Sequence, residues 1–221
     1  MLDVVRRQPS ASLLAVQLAG VVLYPFMEDT GVGRALFSVF GILVLGLVLL
    51  TVRSSRAATW FSVVLGIPAS ILLLIQAVTD DDALLPYSSA LEAVLYFYAA
   101  GALIAYMLED HVITRDELFA VGATFTLVAW AFAYAYTVCQ AIEPNSFTAF
   151  EPEGERSWME LLFLSFTTLS STGLGDVVPV HSFARGLVML EQVAGVAYIA
   201  MVVSRLVGLL VIGRYTRPGN R

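Results

Sequence analysis

Six consecutive residues, Ser171-Thr172-Gly173-Leu174-Gly175-Asp176, carry the types and spacing needed to hold a bare cation with backbone oxygen. Gly173 and Gly175 alternate with residues that bear side chains. Glycine adopts positive φ at little cost, so successive carbonyls can turn to one side instead of alternating. Four such segments around one axis would stack rings of oxygen from Ser171, Thr172, Gly173 and Leu174, with the Ser171 hydroxyl as a further donor of electron pairs. Rings of this kind replace the hydration shell of a monovalent cation.

The residues before this segment must position it. Ser157 followed by Glu160 three residues on is a capping box, and Trp158 to Leu169 reads as an apolar helix. At ~1.5 Å per residue such a helix reaches only about 20 Å, too short to cross a bilayer and return. It has the size of a half-helix, with its partly negative C-terminus aimed at the cation segment. The acidic stretch from Glu143 to Arg156 ahead of it is rich in helix breakers and predicts an outer turret. Irregular backbone at membrane depth is tolerated only inside protein or along a water-filled cavity, so the segment after Leu169 requires a pore.

That a membrane surrounds it follows from composition. Of 221 residues, 58% are hydrophobic and 14% charged, and apolar runs of ~20 residues match the thickness of a hydrocarbon core. Six are predicted: 12–27, 35–52, 58–78, 88–108, 118–142 and 183–213. Thr114-Arg115-Asp116-Glu117 forms a second capping box that starts the fifth, and Gly66-x-Pro68 predicts a kink in the third. The fold class expected is an all-α membrane protein with a re-entrant half-helix between the last two crossings. Residues 1–113 would form a four-helix bundle and 114–221 a pore domain.

Lysine is absent, so arginine alone reports orientation. Arg6, Arg7, Arg53, Arg56, Arg115, Arg205, Arg214, Arg217 and Arg221 fall on one side, which the positive-inside rule makes cytoplasmic together with both termini. Glu28, Asp29, Asp80, Asp81, Asp82, Glu143, Glu151, Glu153 and Glu155 fall outside, an acidic field that would concentrate cations at the mouth. Cys139 is the one cysteine, and with His111 and His181 far from any cysteine no structural zinc or haem is indicated. Without lysine there is no retinal Schiff base. No cofactor, nucleic-acid partner or enzymatic residue set is expected, and no regulatory cytoplasmic domain is recognised in the chain.

The stretch Ser165-Phe166-Thr167-Thr168-Leu169-Ser170-Ser171-Thr172-Gly173-Leu174-Gly175-Asp176-Val177-Val178-Pro179 resembles the potassium-channel pore signature ending T-V-G-Y-G-D-x-x-P. Downstream, Arg185 and Gly195 stand where that family carries a basic residue at the head of the inner helix and its hinge glycine. The resemblance covers about residues 118–208 and extends to small bacterial channels without a regulatory tail. It implies a homotetramer in the cell membrane, conducting K+ through a filter of Ser171, Thr172, Gly173, Leu174 and Gly175. Asp176, Thr167, Arg185 and Glu191 would support the filter. K+ itself would sit at Ser171, Thr172, Gly173 and Leu174.

The pattern departs from the family at Ser171 for threonine, Thr172 for valine and Leu174 for tyrosine. The last removes a ring and its hydroxyl bond, which leaves a non-selective monovalent cation pore as the alternative. Thr167 stands where some members carry an acid that pairs with the filter aspartate. Glu191 is either its substitute or a structural glutamate bonded to Ser165 or Thr167. In voltage-sensing relatives arginines recur along the fourth helix, yet 88–108 has none and carries only Glu92, read here as bonding locally or reaching water. Voltage insensitivity is expected, with gating at the filter or near Gly195, Tyr198, Met201 and Val202. A secondary transporter and a non-conducting membrane scaffold are the rivals from other classes; the repeats typical of the first are not evident.

Overall fold

The computed structural model describes residues 8–26, 44, 46, 47, 56–79, 82–109, 114–149 and 154–215. Six helices are bounded within them: α1 Pro9–Leu23, α2 Arg56–Thr79, α3 Leu85–Leu108, α4 Arg115–Ile142, α5 Trp158–Leu169 and α6 Ser182–Tyr215. Four stretches, Pro9–Phe26, Leu85–Leu108, Arg115–Ile142 and Ser182–Arg205, are long and apolar enough to cross a membrane. The third expected crossing falls on α2, whose apolar stretch Val63–Leu72 is shorter. The second, 35–52, lies outside the described residues apart from Val44, Gly46 and Leu47. So do Arg6, Arg7, Arg53, Arg217, Arg221, Glu28, Asp29, Asp80, Asp81, His111, Glu151 and Glu153.

Local chemistry explains where the helices begin. Pro9 opens α1 and Pro86 lies in the first turn of α3, where a missing N–H leaves nothing unsatisfied and the fixed φ suits the helix. The start of α3 therefore precedes the expected Ser88 by three residues. Helix α2 continues through Pro68, and the Ser70 hydroxyl donates to the Gly66 carbonyl at 2.8 Å. On α4, Thr114 accepts from the Glu117 amide at 3.2 Å, as the predicted cap requires. The other half of that capping box does not form. The Glu117 carboxylate turns instead to Arg205 of α6 at 3.4 Å.

Helix α4 is the centre of the protomer, with α1, α3, α5 and α6 all packed on it. Its inward face is made of small residues, Ala120, Ala123, Ala129, Ala131 and Ala133, beside buried Leu127 and Trp130. Small side chains let neighbouring helices approach closely in lipid, where no hydrophobic force drives them together. Helix α6 is the opposite case, with Met189, Leu190, Val193, Val196, Val203 and Val207 all exposed on the protomer. A helix apolar all round suits a membrane span, where its uncovered side meets lipid or protein.

Two features add to the all-helical expectation. Residues Phe147–Thr148 (β1) pair antiparallel with Val178–Pro179 (β2), in register Phe147 with Pro179 and Thr148 with Val178. Part of the expected turret is thus a short ribbon, tied further by the Val180 amide on the Ser146 carbonyl at 2.9 Å. The second feature is at the other end of the molecule. Asp116 accepts from the Ser10 amide at 3.2 Å and its hydroxyl at 2.9 Å, so a carboxylate from α4 caps the first turn of α1.

Candidate functional site: the segment after the half-helix

The half-helix α5 covers the predicted residues, and its capping box is complete. The Ser157 hydroxyl accepts from the Glu160 amide at 3.4 Å, and the Ser157 amide donates to the Glu160 carboxylate at 2.7 Å. Buried Arg156, one residue before the cap, reaches Glu160 at 3.4 Å and the Gly154 carbonyl at 2.8 Å. The Gln140 side chain then fixes the Arg156 backbone from α4, accepting from its amide at 3.1 Å and donating to its carbonyl at 2.9 Å. Trp158 seats the first turn among Tyr24, Trp130 and Tyr134, at ring-centroid distances of 5.4, 5.3 and 5.5 Å. Both the cap and the ring cluster pin the N-terminal end of α5 to α4.

At its other end α5 stops in a Schellman motif. The Ser171 amide donates to the Thr168 carbonyl at 3.0 Å and the Thr172 amide to the Thr167 carbonyl at 2.9 Å. The Gly173 amide joins them on Thr167 at 3.0 Å. The left-handed position of the motif is occupied by Ser171, with φ of 59°, and Gly173 follows at 69°. Sequence reasoning assigned this conformation to the two glycines. The structure uses Gly173 and Ser171 instead, and Gly175 is not in that region. A non-glycine residue there costs roughly 1–2 kcal/mol, which the three closing amide bonds offset.

Those bonds consume the amides of Ser171, Thr172 and Gly173 and leave the carbonyls. Among the described residues, no hydrogen bond reaches the carbonyl oxygens of Ser171, Thr172, Gly173, Leu174 or Gly175. All five residues are exposed on the protomer. The Ser170 and Thr172 hydroxyls lie 2.7 Å apart. Leu174 is 55% exposed. Asp176 makes no hydrogen bond among the described residues, and Val177 after it is buried against the Phe132, Tyr136 and Phe147 cluster.

The expected supporting residues divide. Thr167 is buried, and its hydroxyl donates to the Leu164 carbonyl at 2.9 Å rather than to Asp176. The Arg185 guanidinium donates to the Pro179 carbonyl at 3.2 Å, joining the head of α6 to the ribbon. Glu191 is fully buried where α4, α5 and α6 meet, with the Tyr136 hydroxyl on Oε2 and the Ser165 hydroxyl on Oε1. Ser165 Oγ also lies 2.8 Å from the Ala129 carbonyl oxygen. Of the two readings of Glu191, the structure brings it to Ser165 and not to Asp176.

Gly195 faces the backbone of Leu169, the last residue of α5. Tyr198 is buried against α4, donating to the Val121 carbonyl at 2.6 Å with its ring 6.2 Å from Phe125. Met201 and Val202 are half-buried and line a cleft with Met107, Leu108, Val121 and the Glu117–Arg205 pair. Glu92, expected to bond locally or to reach water, does neither: it meets Tyr134 of α4. It is buried beside Tyr134, one of the rings packed on Trp158. Cys139 is a buried free thiol packed with Tyr136 and Phe147.

Sequence reasoning missed Tyr136, Gln140 and the ribbon. Tyr136 and Gln140 lie one helical turn apart on α4, polar groups facing inward from an apolar crossing, and that pattern is the signal that could have marked them. Among the described residues no group of histidine, cysteine and acidic side chains is arranged to hold a metal ion.

Residues 122–211, from the third turn of α4 to the last turns of α6, match the family model described as Ion channel. Neither the curated proteins nor the solved structures returned a match. The four helices long and apolar enough to cross a membrane make this a multi-pass membrane protein, and its segment 122–211 is similar to ion channels.

Proposed function

We propose, on the match of residues 122–211 to the ion channel model and on the geometry after the half-helix, that the protein is a homotetrameric potassium channel of the cell membrane, passing K+ through rings of backbone oxygen contributed by residues 171–175. Both termini face the cytoplasm in this reading, and 1–113 is a bundle packed beside the pore domain 114–221. The observation that carries the proposal is the run of five carbonyls without hydrogen bonds directly after a capped half-helix. At membrane depth unsatisfied carbonyls are costly unless something positive takes the place of a donor. A dehydrated monovalent cation is that group, and fourfold repetition supplies enough oxygens to replace its water.

One pore segment per chain cannot enclose an axis, so four chains are required. The exposed apolar surface of α6 is the natural place for them to meet lipid and each other. Gln140, Glu160, Arg156 and the aromatic cluster hold the half-helix by its outer end. The Schellman bonds to Thr167 and Thr168 hold the start of the filter. Conduction then needs only that the ion bind each ring weakly enough to move to the next.

Flux of rubidium, a potassium substitute, into proteoliposomes of the purified protein tests this reading. Uptake resistant to competition by sodium and blocked by barium is expected. No uptake identifies a scaffold, and saturable uptake insensitive to barium identifies a transporter. Leu174 favours one second reading, a non-selective cation pore, because an exposed leucine offers no hydroxyl to brace the filter from behind. Effective sodium competition would establish it.

A further inference from the structure

The contacts around Glu191 need more hydrogens than the neighbouring hydroxyls possess. Three oxygen–oxygen contacts run in series: Tyr136 hydroxyl to Glu191 Oε2, Glu191 Oε1 to Ser165 Oγ, and Ser165 Oγ to the Ala129 carbonyl at 2.8 Å. Each requires one hydrogen. Tyr136 and Ser165 supply one apiece, because a hydroxyl carries a single proton. The Ala129 carbonyl has none to give. Ser165 therefore cannot donate fully to both Ala129 and Glu191, and an anionic Glu191 would face the Ser165 lone pairs without a proton between them.

We infer that Glu191 is a neutral carboxylic acid that positions the half-helix by donating its own proton to Ser165. The chain then has one direction throughout. Tyr136 donates to Glu191 Oε2, Glu191 Oε1–H donates to Ser165, and Ser165 donates to Ala129. Every hydroxyl is used once as a donor, and no charge is buried. Glu191 is fully buried, and no basic side chain bonds it among the described residues. A buried carboxylate without a cation is far costlier than a buried acid that is hydrogen-bonded.

The consequence reaches the filter through one helix. Ser165 lies one turn before Leu169 on α5, and the carbonyls of Thr167 and Thr168 between them anchor the amides of Ser171, Thr172 and Gly173. Glu191 sits one turn before Gly195, where α6 meets the Leu169 backbone. The proton-bearing glutamate thus locks α4, α5 and α6 at a single point behind the segment proposed to hold K+. Its effect on selectivity rests on the reading of residues 171–175 as the filter; its protonation does not.

Two measurements separate these parts. Infrared difference spectra of the reconstituted protein at neutral pH, wild type against Glu191→Gln, are expected to show the carbonyl stretch of a protonated carboxylic acid in wild type alone. Absence of that band overturns the inference whether or not the protein conducts. In rubidium flux, Glu191→Gln keeps an oxygen for Tyr136 and an N–H for Ser165, and its preference for rubidium over sodium is expected to stay at the wild-type level. Glu191→Ala, checked for intact assembly by gel filtration, is expected to lose about tenfold in that preference, as removing a buried hydrogen-bonding centre does. A variant Glu191→Gln that loses selectivity as Glu191→Ala does, or an assembled Glu191→Ala that keeps it, would overturn the positioning role.

Discussion

Gly195 stands so close to the end of the half-helix that a Cβ at this position would lie 2.1 Å from the Leu169 carbonyl oxygen and 2.9 Å from its carbonyl carbon. The contact is backbone to backbone, so no side-chain rotation can relieve it. Family resemblance reads this glycine as a hinge. In the structure it allows α6 to touch Leu169, the residue that ends the half-helix.

Gly195→Ala is therefore expected to push α6 off α5. Overpacking of a close contact costs typically about 1–3 kcal/mol. A lower thermal midpoint of the detergent-solubilised protein, together with reduced rubidium flux, is the outcome expected. Wild-type values of both would show that the two backbones are farther apart than described.

Ser171→Gly tests the left-handed cap. Removing the side chain relieves roughly 1–2 kcal/mol of left-handed strain at φ of 59°, but it also deletes the hydroxyl proposed to face the ion. The substitution should raise thermal stability while weakening discrimination of rubidium from sodium. A fall in stability would mean that the serine hydroxyl contributes more to the fold than its conformation costs.

The Glu117–Arg205 pair joins the first turn of α4 to α6 at 3.4 Å, with side-chain exposures of 6% and 16%. Neutralising one partner leaves the other charge poorly compensated, a loss of about 3–5 kcal/mol for a fully buried pair and less here because Arg205 keeps some access to solvent. Arg205→Gln and Glu117→Gln should each lower the melting temperature and shift open probability in single-channel records. The exchanged pair, Glu117→Arg with Arg205→Glu, should recover part of both. Additive damage in the double variant would count against the pair.

Voltage should have little effect on opening. Each elementary charge moved across the membrane is worth about 2.3 kcal/mol per 100 mV, and Leu85–Leu108 contains no basic residue to move. Its one acid, Glu92, is buried beside Tyr134. A conductance–voltage relation measured in planar bilayers is expected to be shallow. A steep one would require charges in another helix to be doing the sensing.

Much of this protein was legible because it depends on neighbours in sequence. The half-helix was readable to the residue from Ser157, Glu160 and the apolar run to Leu169, since capping acts within one turn. The crossings on 88–108, 118–142 and 183–213 were readable from length and apolarity, because lipid imposes both on every helix that spans it. The glycines of 171–176 marked the segment proposed to bind a cation.

Pairings distant in sequence were decided only by the fold. Thr114-x-x-Glu117 satisfied the local pattern of a capping box, yet Glu117 bonded Arg205, because a charged partner outweighs a backbone amide for a carboxylate that is nearly buried. Asp116 reached Ser10, Glu191 reached Tyr136 and Ser165, and Phe147 paired with Pro179. Left-handed backbone went to Ser171 because the closing bonds to Thr167 and Thr168 demanded it there, while Gly175 kept ordinary φ. The sequence by itself determined four apolar helices long enough to cross a membrane and the capped half-helix that precedes the glycine segment. Tertiary structure decided how that segment is braced, because a buried polar group takes whatever partner packing brings within reach.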